Sequence, residues 1–362
     1  MPLNAVALDA PARSLFDPAP GLAYLDAATY GLPPRPTVAA LERALRRWQA
    51  GTADWVEEWD REGEICRDLF AQLIGAKTDE IALLPTASAG IGLVAAALPE
   101  GTEVVVPEEE FTSVIFPLLV AEEARGVRVR QVPFDALAES IRPETGLVAF
   151  SLTRSQSGQT APLGDIVAAA REHGAQMLVD ATHSIPFVPV REHLSAIDYL
   201  VCHGYKHLLC PRGVAFLRVR RDRWDDVPPW FANWRSGAPL YGRSYGGPLT
   251  LRPDAARFDV SLAWHAWAGA RPSLELLLGW QGAELDRVWD LSRRLAIGLG
   301  APEPTSTIVS VAVADAEAAE AALLEAGVKC AARGGMVRLA PHVYNTEEEI
   351  DRAIAAVGAF LA

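Results

Sequence analysis

Short, mostly apolar runs alternate with helix-like segments between about residues 60 and 220 of this chain. Such runs are typical of strands that are buried on both faces of a sheet. The alternation predicts an α/β fold with a mostly parallel sheet wrapped by helices, and such sheets bind ligands beyond the carboxyl ends of their strands. The predicted strands cover residues 103–106, 127–132, 147–151, 177–180, 199–202 and 214–219, and clear helices cover Thr112–Arg125 and Leu163–His173, the latter ended by Gly174.

Residues 224–271 follow no helical or strand period and are rich in aromatic, arginine and glycine residues. This composition indicates a substrate lid or a subunit interface, centred on the loop from Trp230 to Tyr245. The alternative is a long connector that is packed down by its own aromatic side chains. The pattern favours neither interpretation.

A second, smaller α/β pattern follows that segment. A helix-like stretch covers residues 274–298, a strand 308–313, a helix 315–327 with Asp315 as N-cap, a strand 336–339 and a final helix 346–361. We therefore divide the chain into an N-terminal segment and helix (1–60), a large domain (61–250) and a small C-terminal domain (251–362).

The amino-acid composition argues against several kinds of partner and site. The 362 residues carry a formal net charge of -13, which repels phosphate backbones and argues against a nucleic-acid partner. Cys66, Cys202, Cys210 and Cys330 lack paired spacing, which favours a reducing cytoplasm over a disulfide framework or a metal cluster. We expect no secretory signal and no membrane partner, since turn residues interrupt the long uncharged stretch 81–98.

Two charged residues stand just after predicted strands. Asp180 ends the run Met177 to His183, and Lys206 follows 26 positions later in the run His203 to Gly213. Sheets of this kind hold their functional groups at the carboxyl ends of neighbouring strands. Each residue also has an ordinary interpretation, a helix cap or turn for the aspartate and a solvated side chain for the lysine.

Together with Tyr24 to Ala28 and Arg338 to Thr346, these two runs resemble the class V aminotransferase family, which includes cysteine desulfurases, selenocysteine lyase and isopenicillin N epimerase. The resemblance spans nearly the whole chain. It implies the fold type I of pyridoxal 5'-phosphate (PLP) enzymes, with a mostly parallel seven-stranded sheet and a small C-terminal α/β domain. It also implies a small amino-acid substrate and a homodimer with shared active sites.

The resemblance assigns the cofactor site. Lys206 is the residue to which PLP is attached and the base that moves the substrate's α-proton, and Asp180 is the carboxylate that keeps the pyridine nitrogen protonated. Phe111 is implied to stack on the ring, while His183 and Ser155 stand near the phenolic oxygen. Ala87, Ser88, His203 and Tyr205 are implied to hold the phosphate at a turn that leads into a helix.

The resemblance assigns the substrate site to Arg338, whose planar guanidinium suits the α-carboxylate. The alternative for Arg338 is a salt-bridged surface arginine at the end of a strand. Thr29 and Tyr30 are implied to line the substrate side.

The chain departs from the family pattern in three places. Phe111 replaces the histidine of cysteine desulfurases, and Cys330 lies only eight positions before Arg338, closer than the catalytic cysteine of those enzymes. A persulfide mechanism is therefore disfavoured, and Cys330 is interpreted as a packed small residue. Leu262 replaces the family threonine that reaches the neighbouring subunit's phosphate, and Ser261 is the candidate substitute.

The leading functional interpretation is a carbon-sulfur β-lyase acting on a cysteine S-conjugate in specialised or sulfur metabolism. It depends on the missing desulfurase cysteine and on the aromatic, arginine-rich loop. The alternatives are an aminotransferase, then an epimerase or a decarboxylating oxidative deaminase. A protein that binds PLP or a partner without turnover is disfavoured because Lys206, Asp180 and Arg338 are all present.

Overall fold

A seven-stranded sheet forms the centre of the computed structural model, which describes residues 11–242, 244–280 and 282–361. The strands are β2 (Ile81–Leu84), β3 (Glu103–Pro107), β4 (Arg128–Val132), β5 (Thr145–Ser151), β6 (Gln176–Asp180), β7 (Tyr199–His203) and β8 (Ala215–Val219). They lie side by side in the order β2-β8-β7-β6-β5-β3-β4. All neighbouring pairs from β4 to β7 are parallel, whereas β8 runs antiparallel to both of its neighbours, β2 and β7.

Helices cover both faces of this sheet, which confirms the fold predicted from the sequence. Alternate residues of one strand point to opposite faces, so Val148 packs in one apolar cluster and Leu147 in the other. The helices are α1 (Arg35–Gln49), α2 (Arg61–Ile74), α3 (Ala87–Ala97), α4 (Thr112–Arg125), α5 (Leu163–His173), α6 (Trp264–Gly279), α7 (Ala283–Gly298), α8 (Ala316–Glu325) and α9 (Glu347–Gly358).

Helix ends follow the capping chemistry of the sequence. Asp315 accepts a hydrogen bond from the Ala318 N–H at the start of α8, as predicted. Gly174 ends α5 with a φ of 72°, a left-handed conformation that favours glycine. Thr346 and Glu349 form a reciprocal capping box at the start of α9.

The predicted helix over residues 274–298 is wrong, because two helices occupy this region. Helix α6 begins ten residues earlier at Trp264, inside the segment for which no period was found, and ends at Gly279. Trp280 is buried, and Gly282 has a φ of 89°, a conformation outside the helical region. The chain therefore turns at this point before α7 begins.

A second core lies beside the large sheet. Strands β9 (Val309–Ala312), β11 (Ala331–Arg333) and β12 (Met336–Leu339) form an antiparallel sheet, and β1 (Ala23–Tyr24) pairs in parallel with β10 (Val328–Lys329). A strand from the N-terminal segment thus joins the C-terminal part of the chain. The division into three domains stays a prediction.

A buried ionic network anchors the aromatic segment. Arg235, which is fully buried, is paired with Asp60, with Glu64 at 2.5 Å and with Asp259 at 3.2 Å. The Tyr241 hydroxyl donates to Asp60 at 2.5 Å, so two residues within the loop, Arg235 and Tyr241, are held against the start of α2. Trp230 and Tyr245 are exposed, and Arg243 lies outside the described residues. Whether this loop is a lid, an interface or a connector stays a prediction.

Replacing Arg235 by methionine is expected to lower the free energy of unfolding by about 3–5 kcal/mol, because it leaves the buried Asp60 carboxylate without its cation, whereas Glu64 and Asp259 keep their pairs with Arg67. The matched control is Arg293→Met, which removes an exposed pair with Asp290 and should cost about 1 kcal/mol or less. Urea denaturation of both variants measures the difference. Equal losses in the two variants would contradict a stabilising role for the network.

No helix in the described part of the chain is long and apolar enough to span a membrane.

Candidate active site

The candidate site lies at the carboxyl ends of the parallel strands. Asp180 is the last residue of β6, and the register places it opposite Ser151 of β5 and Val201 of β7. His203 ends β7, and Lys206 follows in the next turn. The residues singled out in the sequence therefore meet at one edge of the sheet, where this class of fold binds its ligands.

Two adjoining cavities open at this edge. The inner cavity has a volume of about 30 Å³, and the outer cavity has a volume of about 350 Å³. Phe111, Tyr205 and Lys206 line both of them. Ala87, Asp180, His183 and His203 complete the predicted residues of the inner cavity, and Thr29, Ser155 and Arg338 complete those of the outer cavity.

Lys206 is buried, with 6% of its surface exposed. Its Nζ lies 2.8 Å from His183 Nε2 and 5.2 Å from the centre of the Phe111 ring. Burial lowers the pKa of the amine to about 8, although the Asp180 carboxylate opposes this shift. A substantial fraction of Lys206 is therefore neutral, and hence nucleophilic, in mildly alkaline solution.

Asp180 is held by its own backbone neighbours. The Thr182 N–H donates to Asp180 Oδ1 at 2.8 Å, and the Thr182 hydroxyl accepts from the His203 N–H at 3.0 Å. Burial raises the pKa of Asp180 above its ordinary value, and the Lys206 charge opposes this shift. A cation placed against Asp180 would stabilise its ionised form.

Two histidines, His183 and His203, line the inner cavity. Burial holds the pKa of His183 well below its ordinary value and lowers that of His203 to about 3. The Nδ1 atoms of both rings are buried and have no hydrogen-bond partner among the described residues. Since buried polar atoms are normally paired, each ring keeps unused hydrogen-bonding capacity.

Arg338 lies in the wall of the outer cavity and not at the solvated surface, with 3% of its surface exposed. It donates to the Ser155 carbonyl at 2.6 Å and to the Thr29 hydroxyl at 2.7 Å. Asp26 Oδ1 lies 3.6 Å from Arg338 Nη2, and Arg338 Nε has no partner among the described residues. The guanidinium is thus oriented by the protein and retains a free donor.

Helix α3 begins beside the inner cavity. The Thr86 hydroxyl accepts from the Ala89 N–H, and the first N–H groups of a helix have no partner within it. Ala87 lines the inner cavity. This helix N-terminus is suited to an anion, as the sequence predicted.

Several predicted residues are not brought into these cavities. Tyr30 is half exposed and packs on Tyr24, and Ser88 lines a neighbouring groove beside helices α3 and α4. Leu262 is buried beside Gly63, and Ser261 is exposed. The role assigned to Ser88 stays a prediction, and nothing in these cavities supports the one assigned to Tyr30.

Sequence reasoning missed other residues at the site. Thr182 and Asp26 position Asp180 and Arg338, and both lie within motifs that were recognised without giving them a role. Glu110 accepts from the Ser151 N–H at 2.9 Å and from its hydroxyl at 2.6 Å, and burial raises the pKa of this carboxyl. The run of three glutamates before Phe111 was the available signal. Arg154, Gln156 and Arg333 also line the outer cavity.

The class-V aminotransferase family model matches residues 23–234. The chain belongs to this family.

Three relatives show how far the similarity extends. An uncharacterized aminotransferase of Bacillus subtilis (strain 168), YcbU, is 28% identical over 331 residues, which cover 84% of this chain and 85% of that protein. Isopenicillin N epimerase of Streptomyces clavuligerus is 26% identical over 332 residues, covering 81% and 83%. A probable cysteine desulfurase of Aeropyrum pernix is 29% identical over 273 residues, covering 70% of this chain and 64% of that protein.

Solved structures share the fold of this class-V family member. The cystine C-S lyase C-DES, in complex with its reaction product cysteine persulfide, superposes with a TM-score of 0.84 at 22% identity, covering 94% of this chain and 98% of that chain. The cysteine desulfurase CsdA of Escherichia coli gives a TM-score of 0.82 at 20% identity, covering 97% and 98%. The fold is that of fold type I PLP enzymes, as predicted.

The cofactor of this family member is PLP. The residues that line the inner cavity fit that group, because they supply a buried amine, a buried carboxylate and two imidazoles with an unpaired Nδ1 atom. These groups match the aldehyde, pyridine nitrogen and polar substituents of the cofactor.

The uptake of PLP by the apoprotein is expected to accelerate as pH rises through about 8. Burial lowers the pKa of Lys206 from 10.5 to about 8, so the neutral amine becomes the major form above that pH. Stopped-flow absorbance after mixing with PLP measures the rate. Asp180→Asn is the control, because losing the carboxylate that opposes the shift should move the midpoint to lower pH. A midpoint near 10.5 in both proteins would contradict the burial of the amine.

Proposed function

We propose that this enzyme is a carbon-sulfur β-lyase that converts a cysteine S-conjugate and one water molecule to a thiol, pyruvate and ammonia. The observation that carries this proposal is the absence of a cysteine from the cavities that join Lys206 to Arg338. All four cysteines belong to the described residues, all are buried, and none lines either cavity. The site thus offers a base and a carboxylate-binding group without a sulfur acceptor.

Cys330, which precedes Arg338 by eight positions, is one of the cysteines that line neither cavity. The thiol lies between β10 and β11 within the second apolar core, with 1% of its surface exposed, and burial raises its pKa to about 12. A thiolate is the nucleophile that would accept sulfur from a substrate. A buried, protonated thiol does not supply it, which argues against a desulfurase.

Each residue has a defined task under this proposal. Arg338 would bind the α-carboxylate through a two-point contact, with its orientation fixed by Thr29, Ser155 and Asp26. Lys206 would remove the α-proton, after which the carbon-sulfur bond at Cβ breaks and the sulfur leaves with the bonding electrons. Lys206 and Arg338 both face the outer cavity, so one bound amino acid can contact both.

The cofactor supplies an electron sink for the bond that breaks at Cα. Asp180 would hold a proton on its ring nitrogen, while His183, His203 and Tyr205 would bind its polar substituents and the start of α3 its phosphate. Phe111 would cover the ring and exclude water. The cystine C-S lyase, whose fold this chain shares, supports the choice of carbon-sulfur cleavage.

A panel of cysteine S-conjugates, with and without a keto acid, tests the proposal. We expect the holoenzyme to release pyruvate and a thiol without a keto acid, and Cys330→Ala to retain that activity. Product formation that depends on a keto acid would indicate an aminotransferase and contradict the proposal. Loss of activity in a folded Cys330→Ala variant would indicate a desulfurase instead.

Three further features stay predictions. The homodimer with shared active sites and the cytoplasmic location follow from the family resemblance and composition, and Ser155 near the phenolic oxygen follows from the resemblance alone. Sedimentation of the holoenzyme measures the first of these.

A further inference from the structure

The outer cavity carries more positive charge than a simple amino acid needs. Its charged lining residues are the cations Lys206, Arg154, Arg333 and Arg338 and the anions Glu109 and Glu110. The whole chain, by contrast, has a net charge of -13. A cationic cavity in an acidic protein concentrates anionic ligands at that place.

The other cations of the cavity already have partners or tasks. Arg154 is paired with Glu109 at 3.1 Å, and its guanidinium lies 5.1 Å from the centre of the Phe134 ring. Arg338 and Lys206 serve the α-carboxylate and the cofactor under the proposed function. Among the described lining residues, Arg333 is the cation that remains unmatched.

Arg333 forms no ion pair with any described residue. It is exposed, and it donates one hydrogen bond, at 2.7 Å, to the carbonyl of its neighbour Ala332. Its charge nevertheless reaches the site, because it contributes to lowering the pKa values of Lys206 and Arg338. Arg333 is therefore free to bind a ligand that enters the cavity.

The strand pairing places Arg333 and Arg338 together. In the β11–β12 hairpin, Ala331 lies opposite Arg338 and Arg333 lies opposite Met336, so both arginines are on the same face. They are diagonal neighbours, which stand about 7–8 Å apart in an antiparallel pair. Two arginines that start from one face of the hairpin, and that both line the outer cavity, suit two anionic groups of one small molecule.

A glycine turn holds this hairpin against the cavity. Gly334 and Gly335 follow Arg333 with φ values of 56° and 76°. A Cβ on Gly334 would lie 1.8 Å from Gln156 Nε2, another lining residue. Gly334 and Gln156 therefore pack closely beside Arg333 in the wall of the outer cavity.

We propose that Arg333 binds a second carboxylate on the side chain of the substrate, while Arg338 binds the α-carboxylate. The substrate is then an acidic amino acid, a cysteine S-conjugate whose sulfur substituent ends in a carboxylate. This inference deepens the proposed function and depends on it for the amino-acid backbone. The cavity volume of about 350 Å³ lies near the lower limit of common ligand sites, so the substituent is short.

Two isosteric ligands test the proposal. S-carboxymethyl-L-cysteine carries the second carboxylate, and S-carbamoylmethyl-L-cysteine replaces it by a neutral amide of the same shape. Calorimetric titration of the borohydride-reduced holoenzyme, in which the cofactor is fixed to its lysine and turnover is blocked, gives both dissociation constants. We expect about tenfold tighter binding of the carboxylate ligand, the effect of one hydrogen-bonded charge.

Three variants assign the preference to a residue. Arg333→Gln should remove the preference, and Arg333→Lys should retain part of it. Arg221→Gln is the matched control, because it removes the same charge from an exposed residue that follows β8 at the opposite edge of the sheet, and it should keep the wild-type ratio. Equal affinities in the wild type, or an unchanged ratio in Arg333→Gln, would overturn the proposal.

The titrations, together with an assay of pyruvate release from both ligands by the active holoenzyme, separate this proposal from the proposed function. If both ligands bind with the expected ratio but neither releases pyruvate, the carboxylate preference holds and the lyase reaction fails. If pyruvate forms equally well from both ligands and their affinities are equal, the lyase reaction holds and the role of Arg333 fails.

Discussion

Replacement of Lys206 by alanine is expected to abolish the visible absorbance of the holoenzyme and to lower turnover by about 10³-fold or more, since both the covalent attachment point and the base are lost. Lys206 is buried in the inner cavity beside His183, and burial lowers its pKa to about 8. No other lysine lines either cavity. The absorbance spectrum and pyruvate release of the purified variant measure the two effects.

The same experiment has an internal control for folding. Burial disfavours the ammonium form of Lys206, so the fold gains little from its charge. Asp180 is the one buried partner that loses a neighbouring cation when the side chain is removed. A thermal melt within a few degrees of wild type should accompany the loss of colour. Lys77→Ala, at an exposed position, should keep both colour and turnover. A coloured, active Lys206→Ala protein would contradict the assignment.

Replacement of Asp180 by asparagine has the second largest expected effect. A charge pair about 4 Å apart is worth about 4 kcal/mol at an effective dielectric near 20, which corresponds to about 10³-fold in rate when the charge is lost. The variant should keep its colour, because Lys206 is intact, while turnover falls. This split between spectrum and rate distinguishes a ring-nitrogen partner from a residue that merely supports the fold.

Asp180→Glu provides the matched comparison. It keeps the negative charge but moves it, so its turnover should lie between those of the wild type and Asp180→Asn. The pairing of Asp180 with the Thr182 N–H contributes to its placement, and that bond is available to both variants. If the turnover of Asp180→Asn stayed within about threefold of wild type, the carboxylate at position 180 would not contribute a charge interaction of about 4 kcal/mol to the reaction.

The central part of the site could be predicted because it depends on local chain features. Asp180 and Lys206 each follow a strongly apolar strand, and parallel strands bring their carboxyl ends to one edge. The helix caps at Asp315 and Gly174 were also local signals. These features need no knowledge of distant contacts.

The remainder depends on contacts between residues far apart in the chain. Thr29 and Arg338 are 309 positions apart, and the bridge between Asp26 and Ala340 beside them has no signal in either segment alone. Family motifs supplied Thr29, whereas Arg333 was missed because a hairpin arginine resembles any solvated side chain. The role assigned to Tyr30 stays a prediction, and its half-exposed ring packs on Tyr24.

The end of α6 at Gly279, before α7 begins at Ala283, shows a different limit. Apolar periodicity continues across it, and the isolated glycine at 282 is a weak signal within a helical pattern. The packing of the buried Trp280 ring against Phe16, at 6.1 Å between ring centres, becomes visible only in the folded chain. Tertiary packing therefore overrode the local pattern.

The most direct test of the account is to find which lysine carries the cofactor. The sequence contains three, Lys77, Lys206 and Lys329, so the answer is unambiguous. Borohydride reduction of the holoenzyme followed by peptide mass spectrometry fixes the cofactor to its lysine. The account predicts a phosphopyridoxyl adduct on the peptide that contains Lys206, and an adduct on Lys77 or Lys329 alone, or on no lysine, would contradict it.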